Sequence, residues 1–99
     1  MSIVRSETQE YQTQLLVTLK GSWCIIETSS GYVMGRVVTL DLRNLNILLS
    51  PGEVLIERSR LAFRAVLIRG SDIKKVLICE DESVCKSKFD HIKKLLDYQ

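Results

Sequence analysis

The chain has 99 residues, of which 45% are hydrophobic and 26% charged, a composition typical of a folded globular protein and not of a disordered one. This length predicts a single domain, residues 1–99. The formal net charge of +2 is too small to identify a nucleic-acid binder by charge alone. No apolar run approaches the roughly 20 residues that cross a bilayer, so we expect no membrane partner.

The first predicted element is a helix at residues 6–19. Ser6 is a suitable N-cap, and Gln9 three residues later completes a capping-box pattern. The helical period then places several apolar residues on one face, and Gly21 ends the helix. These residues are Tyr11, Leu15, Leu16 and Leu19.

After Gly21 the sequence follows the period of β-strands rather than of helices. The pattern predicts five strands within residues 22–80, at 23–28, 32–42, 45–49 (resuming at 54–57), 61–69 and 72–79. Gly35 predicts a sharp bend in the second strand, because a missing side chain permits close backbone approach. Pro51 predicts that the third strand is interrupted at 50–53, since proline cannot donate to a ladder.

A closing helix is predicted at residues 83–97, preceded by acidic residues that suit the helix dipole. Its apolar positions recur at helical spacing, and its lysines are expected to face water. The apolar positions are Val84, Phe89, Ile92, Leu95 and Leu96, and the lysines are Lys86, Lys88, Lys93 and Lys94. The predicted fold class is therefore all-β with flanking helices: a strongly bent, five-stranded antiparallel barrel with an N-terminal and a C-terminal helix.

Two segments resemble the paired signature motifs of the Sm and Sm-like proteins. The first runs over residues 35–49 and the second over residues 68–73. The resemblance implies a bent barrel that assembles side by side with other Sm-like chains and acts on RNA. It also implies that Asn46 offers an amide to a uracil edge, that Arg69 stacks on or bonds to the base, and that Gly70 lets the backbone approach.

The first motif departs from the common RNA-binding pattern at two positions. Leu42 stands where those members carry an aspartate, and the acid is Asp41 instead. Asn44 stands where an aromatic residue or histidine stacks on the base. Base stacking contributes about 1–3 kcal/mol per base, so we expect weak uridine binding, with Asn44, Asn46, Arg69 and Gly70 as a residual RNA site. Alternatively, Asn44 and Asn46 are turn residues that satisfy backbone groups.

The departures are similar to those of the Sm-like gemins in the SMN (survival of motor neuron) complex. The similarity rests on Asp41-Leu42, Asn46 and Ser50, on Ser71-Asp72-Ile73, and on the leading segment 11–16. It implies a non-catalytic scaffold, cytoplasmic and nuclear, that pairs with another Sm-like protein while small nuclear ribonucleoproteins are assembled for splicing. Its partners would be that protein, other SMN-complex subunits, and Sm proteins or small nuclear RNA. The alternatives are a ring subunit that binds uridine-rich RNA directly and a structural subunit of an unrelated complex.

The predicted fourth and fifth strands are the expected partner interface. Only Arg64 is charged within residues 61–68, so this strand is poorly protected if its edge is left bare. Alternatively, the chain's own helices bury the strand on both faces. The predicted interface residues are Phe63, Arg64, Ala65, Val66, Leu67, Ile73, Val76 and Leu77.

Catalysis, metal binding and cofactor binding are not expected. The single histidine, His91, cannot complete a Ser/His/Asp set or a four-ligand zinc site. The five glycines are dispersed and form no phosphate loop. Cys24 and Cys79 lie in apolar runs and are expected to be buried, and the odd number of cysteines with no recognisable targeting segment favours a reducing, intracellular compartment.

Overall fold

A computed structural model describes residues 18–98 and contains six strands, a short 3₁₀ turn and one long helix. The predicted helix at 6–19 lies outside the described residues apart from its last two positions. The elements are β1 (Trp23–Thr28), β2 (Tyr32–Leu40), β3 (Ile47–Ile56), β4 (Ser59–Phe63), β5 (Val66–Ile68), the 3₁₀ turn Gly70–Asp72, β6 (Ile73–Ile78) and α1 (Glu82–Asp97).

All strand pairs are antiparallel, and the strands follow the order β4-β3-β2-β1-β6, with β5 also paired to β3. Gly35 of β2 lies opposite Gly52 of β3, and the register shifts between Gly35 and Val37, an irregularity of the kind that bends a strand. A β-carbon on Gly35 would lie 2.5 Å from the Pro51 carbonyl oxygen, so only glycine permits this approach. The predicted bend at Gly35 is confirmed.

The predicted break of the third strand is wrong, because β3 runs without interruption through Ser50 and Pro51. Its partner is broken instead. Residues 47–49 pair with β5 and residues 52–56 pair with β4, so the predicted fourth strand is two strands separated at Arg64 and Ala65. The Ser50 hydroxyl donates to the Arg64 carbonyl oxygen at 2.7 Å and so ties the segment between β4 and β5 to β3. Both parts keep one register against β3, with Ile47 opposite Ile68 and Gly52 opposite Phe63, so the interruption takes two residues out of the ladder without shifting it.

Side chains alternate between the two faces of the sheet and form two separate buried clusters. The strand cluster consists of Leu19, Cys24, Ile26, Val33, Val37, Ile47, Leu49 and Ile68. The helix cluster consists of Ile25, Met34, Leu55, Cys79, Cys85 and Phe89. Both clusters use neighbouring positions of the same strands, such as Cys24 and Ile25.

The closing helix docks on this chain's own sheet. Asp81 caps it by accepting from the Val84 amide at 2.8 Å. Phe89 is fully buried, and Val84, Ile92 and Leu96 pack around the helix cluster as predicted. Leu95 does not, since it is 53% exposed, whereas Cys85 is buried in its place. The apolar stripe is therefore rotated slightly from the predicted one.

Arg60 ties β4 to this helix. Its guanidinium pairs with Glu53 at 2.7 Å and with Asp90 of α1, and lies 5.0 Å from the Phe89 ring centroid.

The prediction that the helix lysines face water is confirmed for Lys86, Lys88 and Lys94, while Lys93 is half-buried and pairs with Asp97 at 3.0 Å. Within residues 18–98, no helix has the length and apolar character needed to cross a membrane.

Candidate functional site

The connection between β2 and β3, residues 41–46, is held by Asp41. One carboxylate oxygen accepts from the Arg43 amide at 2.9 Å, and the other accepts from the Asn44 side chain at 3.1 Å. The hydrogen bond from the Arg43 amide lowers the pKa of Asp41 from its usual value of 3.8, and the bonds from Asn44 act in the same direction. Asp41 thus stiffens this connection although it lies one position earlier than the family pattern places it.

Asn46 and Gly70 join the two sequence motifs. The Asn46 side-chain oxygen accepts from the Gly70 amide at 3.0 Å. A β-carbon on Gly70 would lie only 2.1 Å from the Asn44 carbonyl oxygen, so a larger residue would push the two connections apart. Asn44, Asn46, Arg69 and Gly70, the four residues predicted for an RNA site, therefore lie together.

This arrangement offers hydrogen-bond donors and no stacking surface. Within residues 18–98, neither the Asn46 side-chain NH₂ nor the exposed Arg69 guanidinium forms a hydrogen bond. Both are suited to the carbonyl oxygens of a base or to a phosphate. The Asn44 side-chain amide donates to the Asp41 carboxylate and not to a backbone group, whereas Asn46 does satisfy a backbone group, the Gly70 amide.

Two cavities flank the site, and the sequence patterns did not indicate either. One, of about 160 Å³, is apolar and reaches from Gly70 and Leu45 to Leu19. The other, of about 270 Å³, is lined by Arg69, by the polar residues Thr28, Ser30 and Asp72, and by apolar residues of β2, β3 and β5. Leu45 has a positive φ of 61°, a conformation that a leucine in sequence gives no reason to expect.

The two outermost strands leave open edges. Among the described residues, β4 and β5 pair only with β3, and β6 pairs only with β1. Of the predicted interface residues, Phe63, Arg64, Ala65, Leu67 and Leu77 are exposed. Val66, Ile73 and Val76 instead pack partly against the strand cluster, so they support the edges from inside.

The predicted interface residues form two separate surfaces, because β4 and β6 lie at opposite ends of the strand order. Leu61 and Ile78, which were not predicted, belong to these surfaces and are at least half exposed. Their exposure could not be read from the sequence, since both lie in short, nearly continuous apolar runs, which do not show which residues face the core.

The three cysteines are free and buried, which confirms the predicted burial of Cys24 and Cys79. Burial raises the pKa of Cys24 to about 12 and raises the pKa of Cys85 as well. These thiols are poor nucleophiles in the folded protein. Residues 18–98 contain no group of three or more side chains arranged to hold a metal ion.

No protein-family model matches the sequence. No curated protein matches it either. Solved structures do match, and the three described here do so at low sequence identity. A heptameric archaeal Sm protein is 16% identical, with a TM-score of 0.58, over 67% of this chain and 97% of the other. The Sm protein of Pyrococcus abyssii, solved in complex with a uridine heptamer, is 14% identical, with a TM-score of 0.60, over 68% and 96%.

A chain from the NatC complex bound to CoA also matches, at 22% identity and a TM-score of 0.57, over 73% of this chain and 91% of that one. These likenesses show that the chain has the Sm-like fold, a bent antiparallel sheet here joined to a C-terminal helix. The predicted fold class is confirmed for the described residues.

Proposed function

We propose that this chain is a non-catalytic scaffold subunit that pairs through its strand edges with a different Sm-like protein. The proposed setting is the SMN–gemin complex, and the sequence resemblance to the Sm-like gemins, above all to the seventh gemin, supports it. There it would serve the loading of Sm proteins onto small nuclear RNA for splicing, in the cytoplasm and the nucleus. The partners would include other subunits of that complex.

The open edge of β4 and β5 is the observation that carries the proposal. An unpaired edge presents free backbone N–H and C=O groups that a strand of another chain can satisfy. Here the edge also carries large exposed apolar side chains, with Leu67 68% exposed and Phe63 47% exposed. Covering such residues with a partner contributes about 25 cal/mol for each Å² of apolar surface removed from water.

The charges on the two edges favour a different chain over a second identical copy. Arg64 is exposed between β4 and β5, and Lys74 and Lys75 are exposed on β6. The strands themselves carry no acidic residue at either edge. Pairing one edge with the other would bring like charges together across the strands, which is destabilising.

A non-catalytic role agrees with the chemistry of the described groups. The cysteine thiols are buried, and burial raises the pKa of Cys24 and Cys85. The Asp41 carboxylate is occupied by donors from its own connection. His91 lies exposed on α1, away from the two motifs.

A second candidate function is that of a ring subunit that binds uridine-rich RNA. The adjacency of Asn46 and Arg69, with free donors on both, favours it. Two of the structural neighbours add support, since one is heptameric and another is bound to a uridine heptamer. The missing stacking residue at position 44 argues against tight binding.

Affinity capture of the tagged full-length chain, followed by native mass spectrometry, separates the two functions. The scaffold function gives a one-to-one pair with another Sm-like chain. The Leu67→Lys variant should weaken that pair by about tenfold, because it places a charge on the exposed edge. Leu95→Lys is the matched control, since Leu95 is 53% exposed on the helix and away from the edge. Rings of one chain type, or a pair unaffected by Leu67→Lys, would contradict the scaffold proposal.

Fluorescence anisotropy with a labelled uridine heptamer tests the second candidate. We expect micromolar or weaker binding by the isolated chain at physiological salt, because only the Asn46 and Arg69 donors remain to hold the base. Asn46→Ala should weaken what binding there is. Nanomolar affinity would favour the ring subunit over the scaffold.

A further inference from the structure

A pocket of about 240 Å³ lies between the start of α1 and strand β4. Its floor is apolar, and its outer wall is the edge strand itself. Residues that line it include Trp23, Met34, Pro51, Ala62, Phe63 and Lys86. Ala62 contributes only a methyl group, and this small side chain leaves the pocket open beside the edge.

The charged residues at the rim of the pocket already have partners. Lys86 pairs with Glu82 at 3.0 Å, and Glu53 pairs with Arg60 at 2.7 Å. A charged ligand would have to compete with these pairs, whereas an apolar group would not. The volume is also below the roughly 300 Å³ at which small-molecule pockets begin, so it suits a side chain better than a cofactor.

The pocket adjoins the open edge. Ala62 pairs with Glu53 of β3 on one side, and on its other side β4 has no partner among residues 18–98. A strand added there would place every second side chain on the helix side of the sheet. The nearest of these would lie about 4.5–5.5 Å from the Ala62 β-carbon, over the mouth of the pocket.

The other edge strand of this fold, β6, has the kind of side chain that could enter the pocket. Leu77 lies opposite Ile25 of the helix cluster, so it is on the helix side of the sheet, and it is 47% exposed. In a sheet shared by two chains the faces continue, so a leucine on the helix side of one chain's edge lies on the side where the next chain's pocket opens. The basic residues Lys74 and Lys75 on β6 oppose the pairing, because the receiving edge carries Arg64.

We infer that the Ala62 pocket receives one large apolar side chain from the strand that a partner Sm-like chain adds to β4. The partner strand carries acidic or neutral residues where β6 of this chain carries Lys74 and Lys75. This inference rests on the proposed function, and it names the chemistry by which the partner is recognised. The helix α1 is part of the recognition surface, because its first turns form one wall.

A charge-altered copy of the chain serves as the test probe. The full-length variant Lys74→Glu with Lys75→Gln has an edge that is no longer basic, and it keeps Leu77. Glutamine is used at 75 because this position lies opposite Glu27 on β1. Sedimentation velocity should show self-association about tenfold tighter than that of the unaltered chain. Trp23 is the only tryptophan, so its emission should shift to the blue as the pocket fills.

Ala62→Leu in the same background fills the pocket from its own side and should weaken association by about tenfold. Thr39→Leu is the matched control, since Thr39 is also exposed but lies on β2, which is at neither open edge, and does not line the pocket, so it should change nothing. Leu77→Ala should weaken association as much as Ala62→Leu does. Thermal unfolding of each variant checks that the fold is unchanged.

Equal association by the Ala62→Leu and Thr39→Leu variants would overturn the pocket inference while leaving edge pairing intact. Failure of the charge-altered copy to associate would also overturn it. The scaffold function would then still be judged by the capture experiment and its Leu67→Lys variant, which do not depend on Ala62. If both the capture experiment and the self-association experiment give the contradicting result, the proposed function and the pocket inference are both wrong.

Discussion

The two buried clusters lie on opposite faces of one sheet, yet they are assembled differently. The strand cluster is built from four strands and Leu19, and its residues come together only when the sheet curls over itself. The helix cluster is closed by a single element, α1, which follows β6 and docks across β1 and β2. One core therefore depends on the whole sheet, and the other on one amphipathic helix.

This difference separates the functional surfaces. The connections that bring Asn46 to Gly70 leave the strands that enclose the strand cluster, whereas the Ala62 pocket lies beside the helix cluster. A change in the helix should therefore affect the pocket and the β4 edge more than the candidate RNA site.

The largest effect is expected from Phe89→Ala. Phe89 is 0% exposed at the centre of the helix cluster, so truncation should cost about 3–5 kcal/mol of unfolding free energy. Leu95→Ala on the same helix is the control and should cost little, because Leu95 is 53% exposed. Urea unfolding measures both. Equal costs for the two variants would mean that α1 does not dock as described.

Gly70→Ala tests the candidate RNA site, which lies beside the strand cluster and not the helix cluster. A β-carbon there would lie 2.1 Å from the Asn44 carbonyl oxygen, so the two connections must separate, at a cost of about 1–3 kcal/mol. Amide chemical shifts should change in residues 41–46 and 68–73 and stay unchanged in α1. Gly21→Ala is a useful comparison, because Gly21 has a φ of +87° but nothing within 4 Å. Changes that spread into the helix would contradict the separation.

Arg60→Gln should give a smaller effect that is specific to β4. It removes two half-exposed ion pairs, each of which contributes about 0.2–1 kcal/mol. The guanidinium also lies over Phe89 and so connects β4 to α1. Its loss should therefore speed up backbone amide hydrogen exchange in β4 more than in β1. Lys86→Gln, which removes the more exposed pair with Glu82, is the control. An unchanged exchange rate in β4 would show that Arg60 does not hold this strand.

The smallest effect is expected from lowering the pH, and it should be confined to residues 41–46, the connection that the Asp41 carboxylate stabilises. Because the folded pKa of Asp41 lies below the ordinary 3.8, its contribution is present above about pH 4 and is lost as the pH falls through the folded value. The Arg43 amide resonance should therefore titrate at low pH with the pKa of Asp41. Asp41→Asn should abolish this titration while the resonances of α1 stay in place.

Much of the secondary structure could be predicted because local periodicity carries it. The strands β1 and β6 and the helix α1 lie within one or two residues of their predicted bounds. Gly35 predicted the bend, and the paired motifs placed Asn46, Arg69 and Gly70 in one site. The errors fall where partners change: β3 passes through Pro51, and its neighbour divides at Arg64 and Ala65.

The residues of the candidate site could be predicted from the sequence, but their hydrogen bonds and backbone conformations could not. Nothing local shows that Asn44 is bound by Asp41, or that Leu45 adopts a positive φ. Likewise the Ala62 pocket has no sequence signal, since it is formed by β4 and a helix more than 18 residues later in the chain.

The sequence by itself determined which segments are strands and which is the closing helix, because the order of apolar and polar residues sets a period of 2 or 3.6. It also determined that Cys24 and Cys79 are buried. Only the tertiary structure decided which face the helix covers, which stretch of β3 each neighbour pairs with, and which edges stay open. These depend on contacts between residues far apart in the chain, whose geometry no local pattern encodes.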